Sequence, residues 1–268
     1  MEQSTLIKLF KHLDTLCWNC EISNQEIFEI AKSQYASISS GKTKNKNFVR
    51  LIGQSGSGKT TQLLPCAKEY FAKNKLNPIT FAVRDFSFCH PKYNELIKKY
   101  GISQIREKTN GFALRLLIVC LAHAIENGYD ILFEVTLLSP KFENFLCSLL
   151  KLNSYKTLYL ALAINKKISD AFIQKRKTQA GKEANRIVNK SSSKFFFKSL
   201  KRSIKYYSKN QPSDRIIVWN ASSLFPIYDG SFRSCPSPFF RSQKQKKLCN
   251  SSENNMLSKK IEYVLENT

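Results

Sequence analysis

The sequence predicts an α/β fold: a parallel sheet with helices on both faces. Three observations predict it. Short β-rich runs alternate with helix-period stretches along most of the chain, the runs are apolar on successive residues, and a glycine-rich turn follows the first run. The runs are FVRLI (48–52), PITFAV (78–83), DILFEV (130–135), TLYLALAI (157–164) and DRIIVW (214–219). A strand apolar at nearly every position is buried on both sides, which in a parallel sheet means helices above and below. Helical patterns separate the runs at 59–73, 91–100, 111–127 and 141–152, with a long basic one over 168–209.

The flanks read differently. Residues 4–37 form two N-terminal helices by spacing, with Leu6, Leu9, Phe10 and Leu13 on the first and Ile27, Phe28, Ile30 and Ala31 on the second. SISSGKTKNKN (37–47) is polar, a flexible linker into the first strand. Beyond Tyr228 the chain mixes Pro, Ser, Asn and basic residues without period, so 230–268 is expected as a peripheral C-terminal tail, helical only over 255–265. The expected organisation is an N-terminal helical segment and linker (1–46), a main domain (47–229) and the tail (230–268).

The chain's 268 residues suffice for one sizeable core. Lys and Arg total 43 against 20 Asp and Glu, a formal net charge of +23, which favours anionic partners: nucleotides, sugar phosphates, nucleic acid or an acidic membrane face. The Lys residues are spread along the chain, so a coding bias toward Lys explains the charge equally well. The longest apolar runs, such as LRLLIVCLAHAI (114–125), stop short of about 18 residues, so no membrane span is expected. The start lacks a cleavable signal pattern, which makes a cytoplasmic location the expectation. The eight Cys lie mostly within apolar segments and suit reduced core thiols. Cys17-Trp18-Asn19-Cys20 is a lone CxxC without a second pair.

Gly53-Gln54-Ser55-Gly56-Ser57-Gly58-Lys59-Thr60-Thr61 fits the phosphate-binding P-loop spacing, placed between an apolar strand and a helix. Glycines there let backbone N–H groups converge on a phosphate, and the helix beginning near Lys59 adds its positive end. Lys59 would reach the β- and γ-phosphates and Thr60 would place its hydroxyl on Mg²⁺. The fold class narrows to a P-loop NTPase of kinase-like type. Asn165-Lys166 lacks the Asp of a guanine reader, which leaves ATP as the expected nucleotide. The ends of the second and third strands face the ligand crevice of such a sheet. Asp85 lies just past the one, as candidate general base, and Glu134 and Thr136 at the other.

GQSGSGKTT (53–61), Asp85 shortly before HPKYNEL (90–96), and GYDILFEVT (128–136) together resemble the zeta-toxin family of P-loop kinases over about 48–220. The loop alone is common; the ordered set is more specific. The resemblance implies an ATP-dependent kinase acting on the amino-sugar 3′-hydroxyl of UDP-N-acetylglucosamine. It implies nucleotide roles for Lys59 and Thr60, a general base at Asp85, and substrate contacts from Glu134 and Thr136. Arg176 and Arg186 would be lid arginines over the transferring phosphoryl, where a planar guanidinium neutralises spread charge better than Lys. The family also implies a small helical antitoxin blocking the ATP site, a part residues 1–40 could play themselves. This chain departs from the pattern at Val135, where the family has Gly, and in its turn before His90. The family's base stands six residues before that His; Arg84 holds the place here and Asp85 follows it.

Two alternatives stay open: a divergent member with another acceptor or no transfer, and a basic ATP-binding module acting with nucleic acid. KFFFKSLKRSIKYYSK (194–209) interleaves basic and aromatic residues as nucleic-acid binders do, yet Lys194, Lys198, Lys201, Lys205 and Lys209 fall near one helical face, as on an amphipathic helix with a solvated side. His90-Pro91 reads as a helix start.

Overall fold

The computed structural model describes residues 9, 11, 20–102, 104–134, 140–178, 190–210, 215–220, 223–231, 233–244 and 253–267. Six strands among these form one sheet: β1 (Asn47–Ile52), β2 (Ile79–Ala82), β3 (Ile131–Glu134), β4 (Lys156–Leu162), β5 (Arg215–Trp219) and β6 (Tyr228–Gly230). Their spatial order is β2-β3-β1-β4-β5-β6. The first five run parallel and β6 returns antiparallel along β5. The chain leaves β1 toward β2 on one side and later builds β4 and β5 on the other, so the order reverses at β1. A crevice opens beyond the carboxyl ends of the strands at such a point.

Side chains alternate across the strands, and both faces are covered. Phe48, Ile52, Phe81, Phe133, Tyr159 and Ala161 belong to one core, with α1 (Asn24–Ser39), α5 (Ile105–Glu126), α6 (Pro140–Leu152) and α8 (Lys190–Asn210) supplying its other wall. Val49, Leu51, Leu132, Leu160, Ile217 and Trp219 belong to the second, closed by α2 (Leu64–Lys73) and α10 (Glu253–Glu266). The remaining helices are α3 (Val83–Ser87), α4 (Tyr93–Tyr100), α7 (Lys166–Thr178) and α9 (Pro236–Lys244). By length and hydropathy α5 passes for a membrane span, being longer than the run 114–125 alone, but 78% of its apolar window is buried. Its hydropathy belongs to a core helix.

Several elements depart from the sequence expectation. The long basic pattern is two helices, α7 and α8, and of 168–209 the stretch 179–189 lies outside the described residues. On α8, Lys194, Lys198, Lys205 and Lys209 are exposed while Leu200, Ile204 and Tyr207 are buried, the pattern of a solvated helix face. The polar stretch before β1 is not loose. Asp130, at the foot of β3, accepts from Thr43 Oγ1 (2.5 Å), Asn45 Nδ2 (3.0 Å), Asn47 N (3.0 Å) and Asn47 Nδ2 (2.8 Å). Burial raises its pKa, but these hydrogen bonds prevail and hold the carboxyl below its ordinary value.

The C-terminal segment is the largest correction. Instead of a peripheral tail, it supplies two packed helices beyond β6, with Cys235, Phe239, Lys260 and Val264 fully buried. Only 255–265 shows a helical period; over α9 the apolar residues are too sparse, because Ser242 and Gln243 are buried beside Phe239. At the other end, the first expected helix lies almost wholly outside the described residues. The second is α1, capped by Ser23 Oγ, which accepts from Glu26 N (3.2 Å), and it runs beside α5, where Arg115 Nη1 donates to Asn24 Oδ1 (2.7 Å) and Tyr35 stacks on His123. Cys17 of the CxxC is likewise outside the described residues; Cys66, Cys120 and Cys235 are buried free thiols.

Candidate active site

The glycine-rich loop leaves β1 and is drawn in tightly. Gly58 has φ 95° and ψ 15°, a left-handed conformation that glycine adopts without a Cβ penalty. At Gly56, φ is +74° and a Cβ would stand 2.4 Å from Ser169 O, so both backbone and neighbours demand glycine. A Cβ on Gly53 would stand 2.5 Å from Ser57 Oγ and 3.3 Å from Leu162 O. Across the loop, Ser57 N donates to Gln54 O (3.1 Å), and Lys59 Nζ donates to Gly53 O (2.7 Å) and Gln54 O (3.1 Å). Lys59 is 8% exposed, its ammonium parked on loop carbonyls. Ser57 Oγ is buried without a hydrogen-bond partner among the described residues.

The helix after the loop begins with a π turn over Lys59–Leu63 before α2 proper. Leu64 N reaches back to Lys59 O, and Pro65, with no N–H, cannot supply the next α-type bond. Thr60 Oγ1 points across to β3 and donates to Glu134 Oε1 (2.7 Å).

Glu134 gathers the acceptor side. It ends β3, paired in register with Ala82 at the end of β2, so the first residues of α3 lie beside it. Arg84 Nη2 donates to Glu134 Oε2 (3.0 Å), and Arg84 Nε stands 3.5 Å from Asp85 Oδ1. Thr60, Glu134, Arg84 and Asp85 thus form one linked chain at the carboxyl edge of the sheet. Asp85 is at its exposed end, with half of its side-chain surface accessible, whereas the Glu134 side chain is 6% exposed. Arg176 belongs to the last turn of α7; Thr136 and Arg186 lie outside the described residues. His90 serves the turn itself: Nδ1 accepts from Lys92 N (3.1 Å), the ring packs edge-on against Phe112, and burial lowers its pKa.

The side chain of Gln54 is held within the protein. Its Nε2 donates to Ile164 O (2.9 Å) and Ser169 Oγ (3.1 Å), and its Oε1 accepts from Gln243 Nε2 (3.4 Å). On the far side of the π turn, Lys260 Nζ donates to Gln62 Oε1 (2.7 Å). Burial pulls the Lys260 pKa down to about 8 even with the Cys66 thiol acting in the opposite sense. Neither Gln243 nor Lys260 was legible as a site residue: Gln243 lies in aperiodic sequence, and Lys260, though within the helical pattern at 255–265, meets its partner Gln62 only through the fold. Arg84 was visible only as the residue standing where the family's base would be.

The residues present fit a magnesium–nucleotide. Mg²⁺ takes few protein ligands and fills its shell from phosphate oxygens and water, so one hydroxyl and one carboxylate, Thr60 and Glu134, suffice. No cluster of three His, Cys, Asp or Glu suited to a metal occurs among the described residues, so a dedicated protein cage is not what the site offers.

A glycine-built loop between β1 and a helix, at the point where strand order reverses, with Lys and Thr in sequence, defines a P-loop protein of kinase-like α/β architecture. A model of the zeta toxin family matches residues 32–232, three quarters of the sequence. The chain belongs to the zeta toxin family. Among solved structures, one from the PezAT chromosomal toxin–antitoxin system of Streptococcus pneumoniae is 22% identical and superposes with a TM-score of 0.66 over 92% of this chain and 97% of that one. At that identity the likeness establishes the fold. A complex of AvrRxo1-ORF1 and -ORF2 with ATP (9% identity, 90% of this chain and 84% of that chain, TM-score 0.49) and a putative kinase from Chloroflexus aurantiacus (11%, 57% and 78%, 0.41) are looser likenesses that bear no weight here. No curated protein matches the sequence.

Proposed function

We propose that this zeta toxin-like protein is an ATP-dependent phosphotransferase whose acceptor is a hydroxyl of a nucleotide sugar, UDP-N-acetylglucosamine being the one the family resemblance suggests. The observation that carries the proposal is the linked set Lys59, Thr60, Glu134, Arg84 and Asp85 at one edge of the sheet, beside a loop that only glycines can form.

Phosphoryl transfer asks for positioning and charge neutralisation more than for covalent chemistry. Lys59 already stands at the loop's mouth and exchanges the Gly53 and Gln54 carbonyls for β- and γ-phosphate oxygens. Mg²⁺ held by Thr60 and Glu134 would supply further neutralisation of the phosphate charge. Asp85, exposed at the acceptor end, takes the proton of the attacking hydroxyl as the new O–P bond forms and ADP leaves. Arg84, already in contact with both carboxylates, orients them. Arg176 and Arg186 are the lid arginines that the family resemblance suggests for the γ-phosphate. A small helical antitoxin covering the ATP site is the partner this reading implies.

The test is ATP consumption by the purified protein with and without UDP-sugars. The expected result is turnover stimulated by a UDP-sugar, lost in Lys59→Ala, and reduced about a hundredfold or more in Asp85→Asn, the size usual for a general base. Stimulation by RNA or DNA alone would remove the sugar kinase reading, and undiminished transfer in Asp85→Asn would remove that residue from the mechanism.

A further inference from the structure

The family match ends at residue 232, yet two helices beyond it touch the phosphate loop. They do so at both ends. Gln243, in the last turn of α9, bonds Gln54 just after β1; Lys260, in the middle of α10, bonds Gln62 in the π turn. Both are buried, Gln243 at 3% and Lys260 at 0% exposure.

The chemistry of each contact is specific. Gln54 spends its amide N–H₂ on Ile164 O and Ser169 Oγ, so its Oε1 needs a donor, and Gln243 Nε2 supplies one at 3.4 Å. Gln243 Oε1 then has no partner among the described residues. A buried amide with one unsatisfied atom costs stability that a leucine there would not, so what it contributes is the placement of Gln54. Its surroundings fix it further: Asn165 Nδ2 donates to Gln243 O (3.1 Å) and Ser242 Oγ to Ala163 O (3.1 Å). The consequence reaches Lys59 through direct bonds. Gln54 O accepts from both Ser57 N and Lys59 Nζ, so whatever fixes Gln54 fixes the lysine's resting place. On the other side, Gln62 N donates to Gly58 O (2.8 Å), and Lys260 thereby steadies the left-handed glycine that starts the turn.

We infer that α9 and α10 are a clamp that sets the phosphate loop for nucleotide, with Gln243 and Lys260 as its positioning residues. The inference rests on the nucleotide-binding reading above and adds to it residues outside the family-matched segment. Ser169 ties the same clamp to α7, whose last turn carries Arg176: Ser169 Oγ is bonded to Gln54 Nε2 and its carbonyl bounds Gly56. Loop, α7 and the C-terminal helices are thereby joined by direct side-chain contacts.

The experiment measures ATP affinity of the full chain by calorimetry for the wild type, Gln243→Leu, Gln243→Asn, Lys260→Met and Lys59→Ala, with circular dichroism to confirm folding. Losing one bond of ordinary net strength at the loop corresponds to about a fivefold weaker Kd. The expected result is that loss in Gln243→Leu and in Lys260→Met, seen in turnover as a raised KM for ATP at near-normal kcat. A double-mutant cycle separates positioning from packing. Gln54→Ala combined with Gln243→Leu is expected to bind ATP no worse than Gln54→Ala alone, because the brace is already gone. Folded Gln243 and Lys260 variants that bind ATP as the wild type does, or additive losses in the cycle, would overturn the clamp. Should Gln243→Leu fail to fold, Gln243→Asn, which keeps the amide on a shorter reach, carries the same expectation. Lys59→Ala keeps the two readings apart: if it alone loses ATP, the clamp falls, and if it binds ATP normally, the nucleotide site itself falls.

Discussion

Lys260 is a fully buried cation whose amine rests on an amide oxygen, and that sets a pH dependence. Its folded pKa, about 8, lies below the ordinary 10.5. Between those values the unfolded chain holds the proton and the folded chain does not, so stability rises with pH across the window. Below pH 8 the cost of burying the charge is constant; above 10.5 it is gone. The difference in stability between wild type and Lys260→Met, followed by urea unfolding from pH 7 to 10, is expected to shift by up to on the order of 3 kcal/mol in favour of the wild type. A difference that stays flat over this range would mean that Lys260 titrates normally. At this scale the sequence is legible where one residue type has one use, as at Gly58, Lys59 and Thr60. It is silent where a common residue acquires a role from a distant neighbour, as Gln243 does from Gln54, 189 positions away. Arg84 falls between: its place in the turn is readable, its grip on Glu134 is not.

Among the elements, β1 carries a charge through the middle of the sheet. Arg50, 1% exposed, donates to Glu143 on α6 at 2.5 and 2.6 Å, with Phe133, Tyr159 and Tyr207 rings around its guanidinium. Removing one partner strands a buried charge, a loss of about 3–5 kcal/mol; replacing both with apolar groups of similar size avoids it. Thermal and denaturant unfolding of Arg50→Met, Glu143→Leu and the double variant checks this, with the double expected to be more stable than either single. Single variants as stable as wild type would show that the pair is not held dry. The apolar strands were legible because parallel strands buried on both faces have no polar alternation to hide. Their ends were less so: α3 follows β2 without a break, since Val83 can end a strand or begin a helix, and its five residues are too few to show a period. That ambiguity governs the candidate site, because Arg84 and Asp85 sit on this helical turn.

For the whole molecule, the parallel sheet, the helices on both faces and the family were all readable: the first two rest on a pattern repeated along the chain, the family on an ordered set of motifs that each occur once. The packing of the two C-terminal helices was not: Phe239 of α9 joins one core and Val264 of α10 the other, with Gln243 and Lys260 buried beside them. Those helices reach the phosphate loop at Gln54 and Gln62. Everything proposed for function depends on the same loop passing a phosphoryl group to an acceptor. The most direct measurement is incubation of the protein with γ-labelled ATP and a panel of nucleotide sugars, with the products separated and the label located. Label on the sugar moiety of one UDP-sugar, absent with Lys59→Ala, is the expected result; label that stays on ATP or appears only as free phosphate with every sugar, or transfer that survives Lys59→Ala, would contradict it.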